Sequence, residues 1–310
     1  MTAPAPPFGR VITAMVTPFT EDGAVDYARA RALAVALVES GSDALVVCGT
    51  TGEAPTLTRE EKLRLVREVK DALAGRGAVI AGTGTYSTAE SIELSREAER
   101  AGADGLLLVV PYYNKPTQEG LYRHFAAIAE AVSLPCMLYN VPSRTVANLA
   151  ADTTIRLSHV PNIVGVKEAS GDLEQIGRII RGAAPGFTVW SGNDQDTLPI
   201  LAIGGYGVVS VISHLVGRQV AEMVAAFVRG DTARAGELHL RLLPLVKAMF
   251  LVANPIPVKY ALGQVGFPVG GLRLPLCGPD EATARAIREE LARHTIDLPR
   301  LDSIPGFVRA

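Results

Sequence analysis

Eight short apolar segments alternate with longer amphipathic segments along most of this 310-residue chain. Each apolar segment has the length and the β-branched content of a buried strand, and the longer segments have a helical pattern. Strands that alternate with helices lie parallel, because right-handed crossovers connect them. Eight such α/β units close into a (β/α)8 TIM barrel more readily than they form an open sheet. The predicted strands are 11–19, 44–49, 78–84, 105–111, 135–141, 163–169, 187–193 and 207–213.

Helical patterns fill several of the gaps between these strands. Thr58 stands three residues before Glu61, which is the spacing of a capping box and predicts where one helix begins. A doubly wound α/β sheet also consists of alternating strands and helices, and it is the alternative architecture. The predicted helices include 58–74, 87–101, 118–131 and 172–181.

The alternation stops near residue 230. Residues 231–310 contain further helical patterns, which the segment 254–257 (NPIP) interrupts, but they contain no strand-like segment. The sequence therefore predicts two parts. They are a barrel catalytic domain over residues 1–230 and a small C-terminal helical domain over residues 231–310, which packs on the barrel.

Composition and charge exclude several classes of protein. The chain is 48% hydrophobic and 20% charged, as globular enzymes are, and its net charge of -2 comes without a basic cluster that would bind nucleic acid. No apolar run approaches the roughly 20 residues that cross a membrane, and residues 1–10 lack the pattern of a secretory signal. We therefore expect a cytoplasmic protein with neither a nucleic-acid nor a membrane partner.

Cysteine and histidine usage does not indicate a metal centre. The three cysteines, Cys48, Cys136 and Cys277, are far apart, which predicts reduced thiols and no zinc site. The five histidines are scattered, and none belongs to an HExxH motif. We expect no bound metal.

One lysine lies in an unusual position on the sixth predicted strand. Gly165, Lys167 and Ala169 share one face, because side chains alternate along a strand. Burial between two small residues would lower the pKa of the lysine, and a neutral amine can form a Schiff base with a carbonyl substrate. From this segment alone, a structural lysine paired with a carboxylate is the simpler interpretation.

Active sites of TIM barrels lie at the C-terminal ends of the strands. At those ends this chain carries hydroxyls, phenols, one lysine and one arginine, without paired carboxylates or a histidine base. Each of these residues could instead have a purely structural role. The threonines could belong to a plain turn, the tyrosines could pack against other side chains, and the arginine could form a surface ion pair. The candidate site residues are Thr50, Thr51, Tyr113, Tyr139, Arg144, Lys167, Gly192 and Val209.

Four motifs at these strand ends resemble those of one enzyme family. They are GTTGE at 49–53, PYYNKP at 111–116, YNVPSRT at 139–145 and GVKEASGD at 165–172. In order and approximate spacing they are similar to the pyruvate-dependent class I aldolase family, which includes N-acetylneuraminate lyase, and most closely to its dihydrodipicolinate synthase branch. Thr50-Thr51 and Arg144 favour that branch, because the lyases tend towards GSTGE and most sister enzymes lack this arginine.

The resemblance implies a Schiff-base lyase of lysine and diaminopimelate biosynthesis. Lys167 would bind pyruvate covalently, and the product would be 4-hydroxy-tetrahydrodipicolinate, formed with L-aspartate 4-semialdehyde. The Schiff base takes the place of a cofactor, so none is expected. Tyr139, Thr50 and Tyr113 resemble the proton relay of the family.

The remaining candidates resemble substrate-binding positions. Thr51 resembles the residue that holds the pyruvate carboxylate, and Arg144 resembles the clamp on the semialdehyde carboxylate. Val209 resembles the residue whose backbone carbonyl lies near the keto acid, and Gly192 is expected to contact the substrate.

The resemblance also implies self-association and a form of regulation. In the family, the tyrosine at the Tyr113 position enters the site of a neighbouring subunit, so a homotetramer built from two dimers is expected. Some members bind lysine, the end product, in a cleft beside the helix after the second strand. Arg59 and Lys62 stand at the matching positions here and would repel an ammonium group, which predicts weak or absent inhibition.

Two other functions stay open at this point. A pyruvate-dependent aldolase could use the same Schiff base with a sugar acid or another aldehyde. A barrel that only binds a 2-oxo acid as a signal is the non-catalytic alternative. Such a binder would not need Lys167, Tyr139 and Thr50 together.

Overall fold

A computed structural model of the chain describes residues 6–304. Eight parallel strands form a closed barrel in chain order, and the last strand pairs with the first. This confirms the predicted TIM barrel and excludes the doubly wound sheet. The strands are β1 (Val11–Ala14), β2 (Ala44–Val47), β3 (Ala78–Gly82), β4 (Gly105–Val109), β5 (Cys136–Asn140), β6 (Ile163–Glu168), β7 (Thr188–Ser191) and β8 (Gly207–Ser210).

The strands begin within one residue of the predicted positions, but they end earlier. The first predicted strand runs to Phe19, whereas β1 ends at Ala14. Beyond it, Val16 and Phe19 are still only 1% exposed. Phe19 stays buried because the C-terminal part of the chain covers it, and its N–H bonds the Val269 carbonyl at 3.0 Å. An apolar pattern reports burial and so extends past the last residue of a strand.

Helices connect the strands and cover the outside of the barrel. The helix after β2 begins at the predicted capping box, where Thr58 Oγ accepts from the Glu61 N–H at 3.2 Å and the Thr58 N–H donates to Glu61 Oε2 at 2.9 Å. The helices up to the end of the barrel are α1 (Tyr27–Glu39), α2 (Arg59–Leu73), α3 (Thr88–Arg100), α4 (Gln118–Glu130), α5 (Pro142–Thr145), α6 (Ala151–Leu157), α7 (Leu173–Gly182), α8 (Thr197–Ala202) and α9 (Ser213–Val228).

Apolar side chains form two cores. The larger core lies between the strands and the surrounding helices. The smaller core fills the barrel interior and includes Phe8, Met137, Tyr139 and Trp190. Phe8 packs against Gly105, the first residue of β4, so it closes the N-terminal end of the barrel. Polar side chains that meet a substrate must therefore lie at the opposite, C-terminal rim.

The described chain continues beyond α9 with α10 (Thr232–Met249), α11 (Ile256–Gln264) and α12 (Glu281–Leu291). These helices occupy the predicted C-terminal part, and the Asp297 N–H bonds the Leu215 carbonyl of α9 at 2.7 Å. The domain boundary at residue 230 stays a prediction, and residues 1–5 and 305–310 lie outside the described part. Between residues 6 and 304 no helix is long and apolar enough to span a membrane.

Candidate active site

Lys167 lies on β6 with its side chain inside the barrel. Its Cα is in register with those of Tyr139 on β5 and Trp190 on β7. Gly165 makes room for Trp190, since a Cβ there would lie 2.5 Å from the indole. Gly192 makes room for the lysine, since a Cβ there would lie 3.1 Å from the Lys167 Cγ. Gly192 is therefore required by the packing of Lys167, and Gly165 by the packing of Trp190.

The amine of Lys167 is buried and has no carboxylate partner in the described part of the chain. The residue is 6% exposed, and it forms no salt bridge with any of residues 6–304. Burial lowers the pKa of Lys167 to about 7; the charge of Asp194 opposes this effect, and that of Arg144 adds to it. Burial therefore favours the neutral form of this amine. The simpler interpretation, a lysine paired with a carboxylate, does not describe this residue.

The ring of Tyr139 lies against this amine, with 4.1 Å between Lys167 Nζ and the ring centroid. Burial raises the pKa of the Tyr139 phenol, while Arg144 and the hydroxyl of Thr50 oppose that shift. Tyr139, Thr50 and Arg144 line a cavity of about 230 Å³ at the rim, together with Tyr112. Lys167 does not itself line the cavity, but it contacts the ring that does. The structure thus brings together four predicted site residues.

The loop that follows β2 presents its two threonines to different surroundings. Thr50 lines the cavity, whereas Thr51 is 3% exposed and its Oγ accepts from Asn254 Nδ2 at 2.8 Å. Glu53 has a left-handed backbone with φ +56°, and its buried carboxylate lies 2.7 Å from Lys259 Nζ. Thr51 and Glu53 therefore anchor this turn to the C-terminal part of the chain.

Arg144 lies on the short helix α5 beside the cavity. Its Nη2 donates to the Asn254 carbonyl at 3.2 Å, and it forms no salt bridge with the described residues. The surface ion pair that was its structural alternative is therefore absent from residues 6–304. A guanidinium without a carboxylate partner can bind the carboxylate of a ligand through two parallel hydrogen bonds.

Tyr113 does not line the cavity within a single chain. It is 94% exposed in the loop after β4, and its φ of +72° is unusual for a residue other than glycine. Its neighbour Tyr112 lines the cavity and packs edge-on against Tyr86, with 5.3 Å between ring centroids. Of the three residues of the predicted relay, Tyr139 and Thr50 line the cavity and Tyr113 does not.

The last two candidates, Val209 and Gly192, lie on and just after the strands β8 and β7. Val209 lies on β8 in the interior core and is 1% exposed. The N–H of Gly192 donates to the Glu168 carbonyl at 2.7 Å, so it is not free for a substrate. Gly192 makes room for the Lys167 chain, as described above, and any substrate contact would use its carbonyl.

Asp194, which follows β7, is a buried residue near the site to which the sequence assigned no role. Its Oδ1 accepts from the Ser210 hydroxyl at 2.5 Å, and its Oδ2 accepts from the N–H groups of Val211 at 2.9 Å and Ile212 at 3.3 Å. Burial raises the pKa of Asp194, and these hydrogen bonds oppose the shift. Its charge in turn acts on the amine of Lys167.

The two cations predicted at the regulatory cleft differ from each other. Arg59 lies 2.5 Å from Glu97 and 3.3 Å from Glu93, so carboxylates of α3 neutralise its charge. Lys62 forms no salt bridge with the described residues and lines the rim cavity with Tyr112. These carboxylates offset the repulsion expected from Arg59, so the prediction of weak inhibition by lysine depends mainly on Lys62.

The fold and these side chains define a class of protein. A TIM barrel whose buried Lys167 amine lies next to a phenol and an arginine, without a carboxylate partner among residues 6–304, has the site features of Schiff-base enzymes of the class I aldolase type.

The chain belongs to the dihydrodipicolinate synthetase family, whose model matches residues 7–294. A 4-hydroxy-tetrahydrodipicolinate synthase from Dehalococcoides mccartyi is 62% identical over 291 residues, which are 94% of this chain and 98% of that protein. The enzyme of the same name from Symbiobacterium thermophilum is 60% identical over 288 residues, which are 93% of this chain and 98% of that protein. The family resemblance is thus confirmed.

Solved structures are similar over nearly the whole fold. Dihydrodipicolinate synthase from Cyanidioschyzon merolae, crystallised with lysine bound, has a TM-score of 0.91 at 50% identity and covers 92% of this chain and 98% of its own. A monomeric dihydrodipicolinate synthase variant has a TM-score of 0.90 at 43% identity, over 92% of this chain and 96% of its own.

Proposed function

We propose that this chain is a lyase that condenses pyruvate with L-aspartate 4-semialdehyde to 4-hydroxy-tetrahydrodipicolinate, in lysine and diaminopimelate biosynthesis. The observation that carries the proposal is the buried amine of Lys167, which has no carboxylate partner among residues 6–304 and a pKa of about 7. The names of the 62% and 60% identical relatives specify the reaction. No comparable observation favours the sugar-acid aldolase or the non-catalytic binder.

Lys167 is the nucleophile in this proposal. Its neutral amine attacks the keto carbon of pyruvate, water leaves, and an iminium forms. The iminium withdraws electrons from the adjacent methyl group, which loses a proton and becomes the enamine carbon. That carbon attacks the aldehyde of the semialdehyde. The amine of the adduct then attacks the imine carbon, closes the ring and releases the lysine.

Tyr139 is the proton donor and acceptor for these steps, because its ring lies against the amine. A phenol whose pKa is raised by burial keeps its proton until the carbinolamine hydroxyl takes it. Thr50 lines the same cavity and passes protons between Tyr139 and solvent.

Thr51 and Arg144 hold the carboxylates of the two substrates. Thr51 offers a hydroxyl and a backbone N–H at the base of the site. Arg144 offers a guanidinium at the cavity wall that has no carboxylate partner between residues 6 and 304. The two substrates would thus bind at separate positions, pyruvate near the amine and the semialdehyde nearer the rim.

A homotetramer composed of two dimers is the assembly that we propose, with Tyr113 completing the relay of a neighbouring subunit. The 94% exposure of this tyrosine within one chain supports the proposal. When a Tyr113→Phe variant is mixed with a Lys167→Ala variant, hybrid dimers should regain activity. If activity does not recover after verified subunit exchange, the tyrosine is not shared. The monomeric variant among the similar structures shows that assembly must be measured for each member.

We also propose that the enzyme is cytoplasmic and needs no cofactor besides its own lysine. A cytoplasmic location suits a biosynthetic enzyme whose substrates are small metabolites. Dialysis against a chelator should leave the activity unchanged, and activity that returns only on addition of a metal ion would contradict this.

The proposed function is tested in two stages. Incubation with pyruvate and borohydride, followed by digestion and mass mapping, should place the added mass on Lys167. Turnover is then compared between aspartate semialdehyde and a panel of aldehydes that includes sugar acids. Modification of a different lysine would overturn the assignment of the nucleophile. Faster turnover with a sugar-acid aldehyde would overturn the assignment of the substrate.

A further inference from the structure

Asn254 connects two site residues although it comes from the segment between α10 and α11, outside the barrel strands. It is 7% exposed. Its Nδ2 donates to Thr51 Oγ at 2.8 Å, and its backbone carbonyl accepts from Arg144 Nη2 at 3.2 Å. Under the proposed function, these partners hold the carboxylates of the two substrates. Asn254 therefore contacts the binding residues of both.

A buried ion pair keeps this contact in place. Lys259 Nζ on α11 lies 2.7 Å from Glu53 Oε1 and donates to the Thr17 carbonyl at 2.9 Å. The side chains of Lys259 and Glu53 are 2% and 1% exposed. Glu53 is close in sequence to Thr51, and Lys259 is close to Asn254. The ion pair therefore holds the two hydrogen-bonded residues together from both chain segments.

The direction of the hydrogen bond determines what the Thr51 hydroxyl can do. A hydroxyl has one proton to donate and two lone pairs that accept. Because Thr51 Oγ accepts from the Asn254 amide, its own proton is free for another acceptor. Asn254 Oδ1, the one side-chain atom of this residue that could take that proton, is buried and has no partner among residues 6–304.

We propose that Asn254 is a positioning residue that fixes Thr51 as a hydrogen-bond donor to the carboxylate of pyruvate. The proposal rests on the proposed function. A carboxylate only accepts hydrogen bonds. The Thr51 hydroxyl therefore binds it best when the Asn254 amide already donates to the hydroxyl oxygen, because the hydroxyl proton then points to the carboxylate. Asn254 acts on the affinity for the 2-oxo acid and not on the reacting atoms.

A double-mutant cycle tests this, with pyruvate-dependent borohydride trapping as the readout, because trapping needs no second substrate. Asn254→Ala should raise the pyruvate concentration for half-maximal trapping about tenfold, as expected when a hydrogen bond to a charged group is weakened. The maximal trapping rate should change little. In a Thr51→Val background, the same Asn254→Ala change should have no further effect, because the amide acts through the hydroxyl.

Two results would overturn the proposal. One is an unchanged pyruvate concentration for half-maximal trapping in Asn254→Ala. The other is an equal rise of that concentration when Asn254→Ala is introduced into the native and into the Thr51→Val enzyme, which indicates that Asn254 acts independently of Thr51. Thermal unfolding of each variant identifies losses that arise from misfolding.

Asn254→Asp provides a second variant of nearly the same shape, which tests the direction of the bond even if Asn254→Ala does not fold. The introduced carboxylate cannot donate a hydrogen bond, so the pyruvate concentration for half-maximal trapping should again be higher than in the native enzyme. Native affinity in Asn254→Asp would show that no donor is needed and would contradict the proposal. If pyruvate does not trap the native enzyme at all, the proposed function fails. That result is distinct from native trapping with unaffected variants, which refutes only the role of Asn254.

Discussion

Lys167 and Lys259 are almost equally buried, at 6% and 4% exposure, but their charges have different surroundings. Lys259 Nζ lies 2.7 Å from the carboxylate of Glu53. Lys167 has no such contact among the described residues; Asp194 raises its pKa from a distance, and Arg144 lowers it. Burial lowers the pKa of both lysines, to about 7 for Lys167, and the hydrogen bond to Glu53 counteracts that shift for Lys259.

The difference shows that burial alone does not make a lysine reactive. A carboxylate in contact keeps the charged form of Lys259, which then holds the C-terminal helices to the loop after β2. Without such a carboxylate, the charged form of Lys167 loses its hydration and gains little in return, so the neutral form is favoured. The same residue type therefore serves structure at one position and, in our proposal, chemistry at the other.

The largest expected effect is on Lys167. Lys167→Met should abolish trapping by pyruvate and reduce turnover by at least about 10⁴-fold, the scale seen when other enzymes lose a covalent nucleophile. Lys259→Met is the matched control, and trapping in that variant should still map to Lys167. If Lys167→Met is still trapped, the contrast between the two lysines is wrong.

For stability the order of the two lysines should be reversed, with the larger loss in Lys259→Met. Lys259→Met leaves the Glu53 carboxylate buried without its partner, which should lower the free energy of unfolding by about 3–5 kcal/mol. Adding Glu53→Gln should restore much of that loss, because no buried charge then remains. Lys167→Met should show no comparable loss in denaturant unfolding. Equal destabilisation by both lysine substitutions would contradict the role of pairing.

Arg144 acts on Lys167 and, in our proposal, on the second substrate. Arg144→Ala should reduce kcat/KM for aspartate semialdehyde by about ten- to a hundredfold, since a charged hydrogen-bond partner contributes about 1.5–3 kcal/mol. Pyruvate trapping should change much less. Parallel losses in trapping and turnover would indicate that Arg144 is structural, and Arg144→Lys separates loss of charge from loss of bidentate geometry.

Substitution of Asp194 tests whether nearby charges control the pKa of Lys167. The amine attacks only when neutral, so trapping by the native enzyme should rise with pH through about 7, the pKa of Lys167. Asp194 raises that pKa, so Asp194→Asn should move the rise to lower pH. Arg144 lowers it, and Arg144→Ala should move the rise to higher pH. Shifts in the same direction for both variants would show that these charges do not control the amine.

The smallest expected effect concerns a third lysine, Lys62, which lines the rim cavity. Its charge beside an incoming ammonium is unfavourable by about 1 kcal/mol at ~4 Å in water, so millimolar lysine should inhibit weakly or not at all. Lys62→Gln should increase sensitivity, while Arg59→Gln should not, because carboxylates already neutralise Arg59. Strong inhibition of the native enzyme in a steady-state assay would refute this.

The order and the start of the strands follow from the sequence, because strand and helix periodicities are local properties. The capping box of Thr58 and Glu61 is likewise local, and the structure contains it. The ends of the strands were predicted less well. Val16 and Phe19 are buried although they lie beyond β1, and from the sequence alone a buried apolar residue in a loop cannot be distinguished from one in a strand.

Much of the candidate site could also be predicted. Parallel strands place their C-terminal ends on one rim, so Thr50, Tyr139, Arg144 and Lys167 were expected to be neighbours before any distance was known. The residues that sequence reasoning missed are Asn254 and Asp194. A helix break at 254–257 and an aspartate after β7 are common features, and neither by itself indicates a site.

The sequence by itself determined the barrel, the rim and the lysine that we propose as the nucleophile. Only the tertiary structure decided that Lys259 pairs with a carboxylate whereas Lys167 pairs with none of the described ones, and that Asn254 contacts Thr51. The Glu53–Lys259 and Thr51–Asn254 contacts join residues 206 and 203 positions apart, so no local pattern contains them. The charge state of a buried group depends on distances through space to other charges, and packing of the C-terminal helices on the barrel sets those distances.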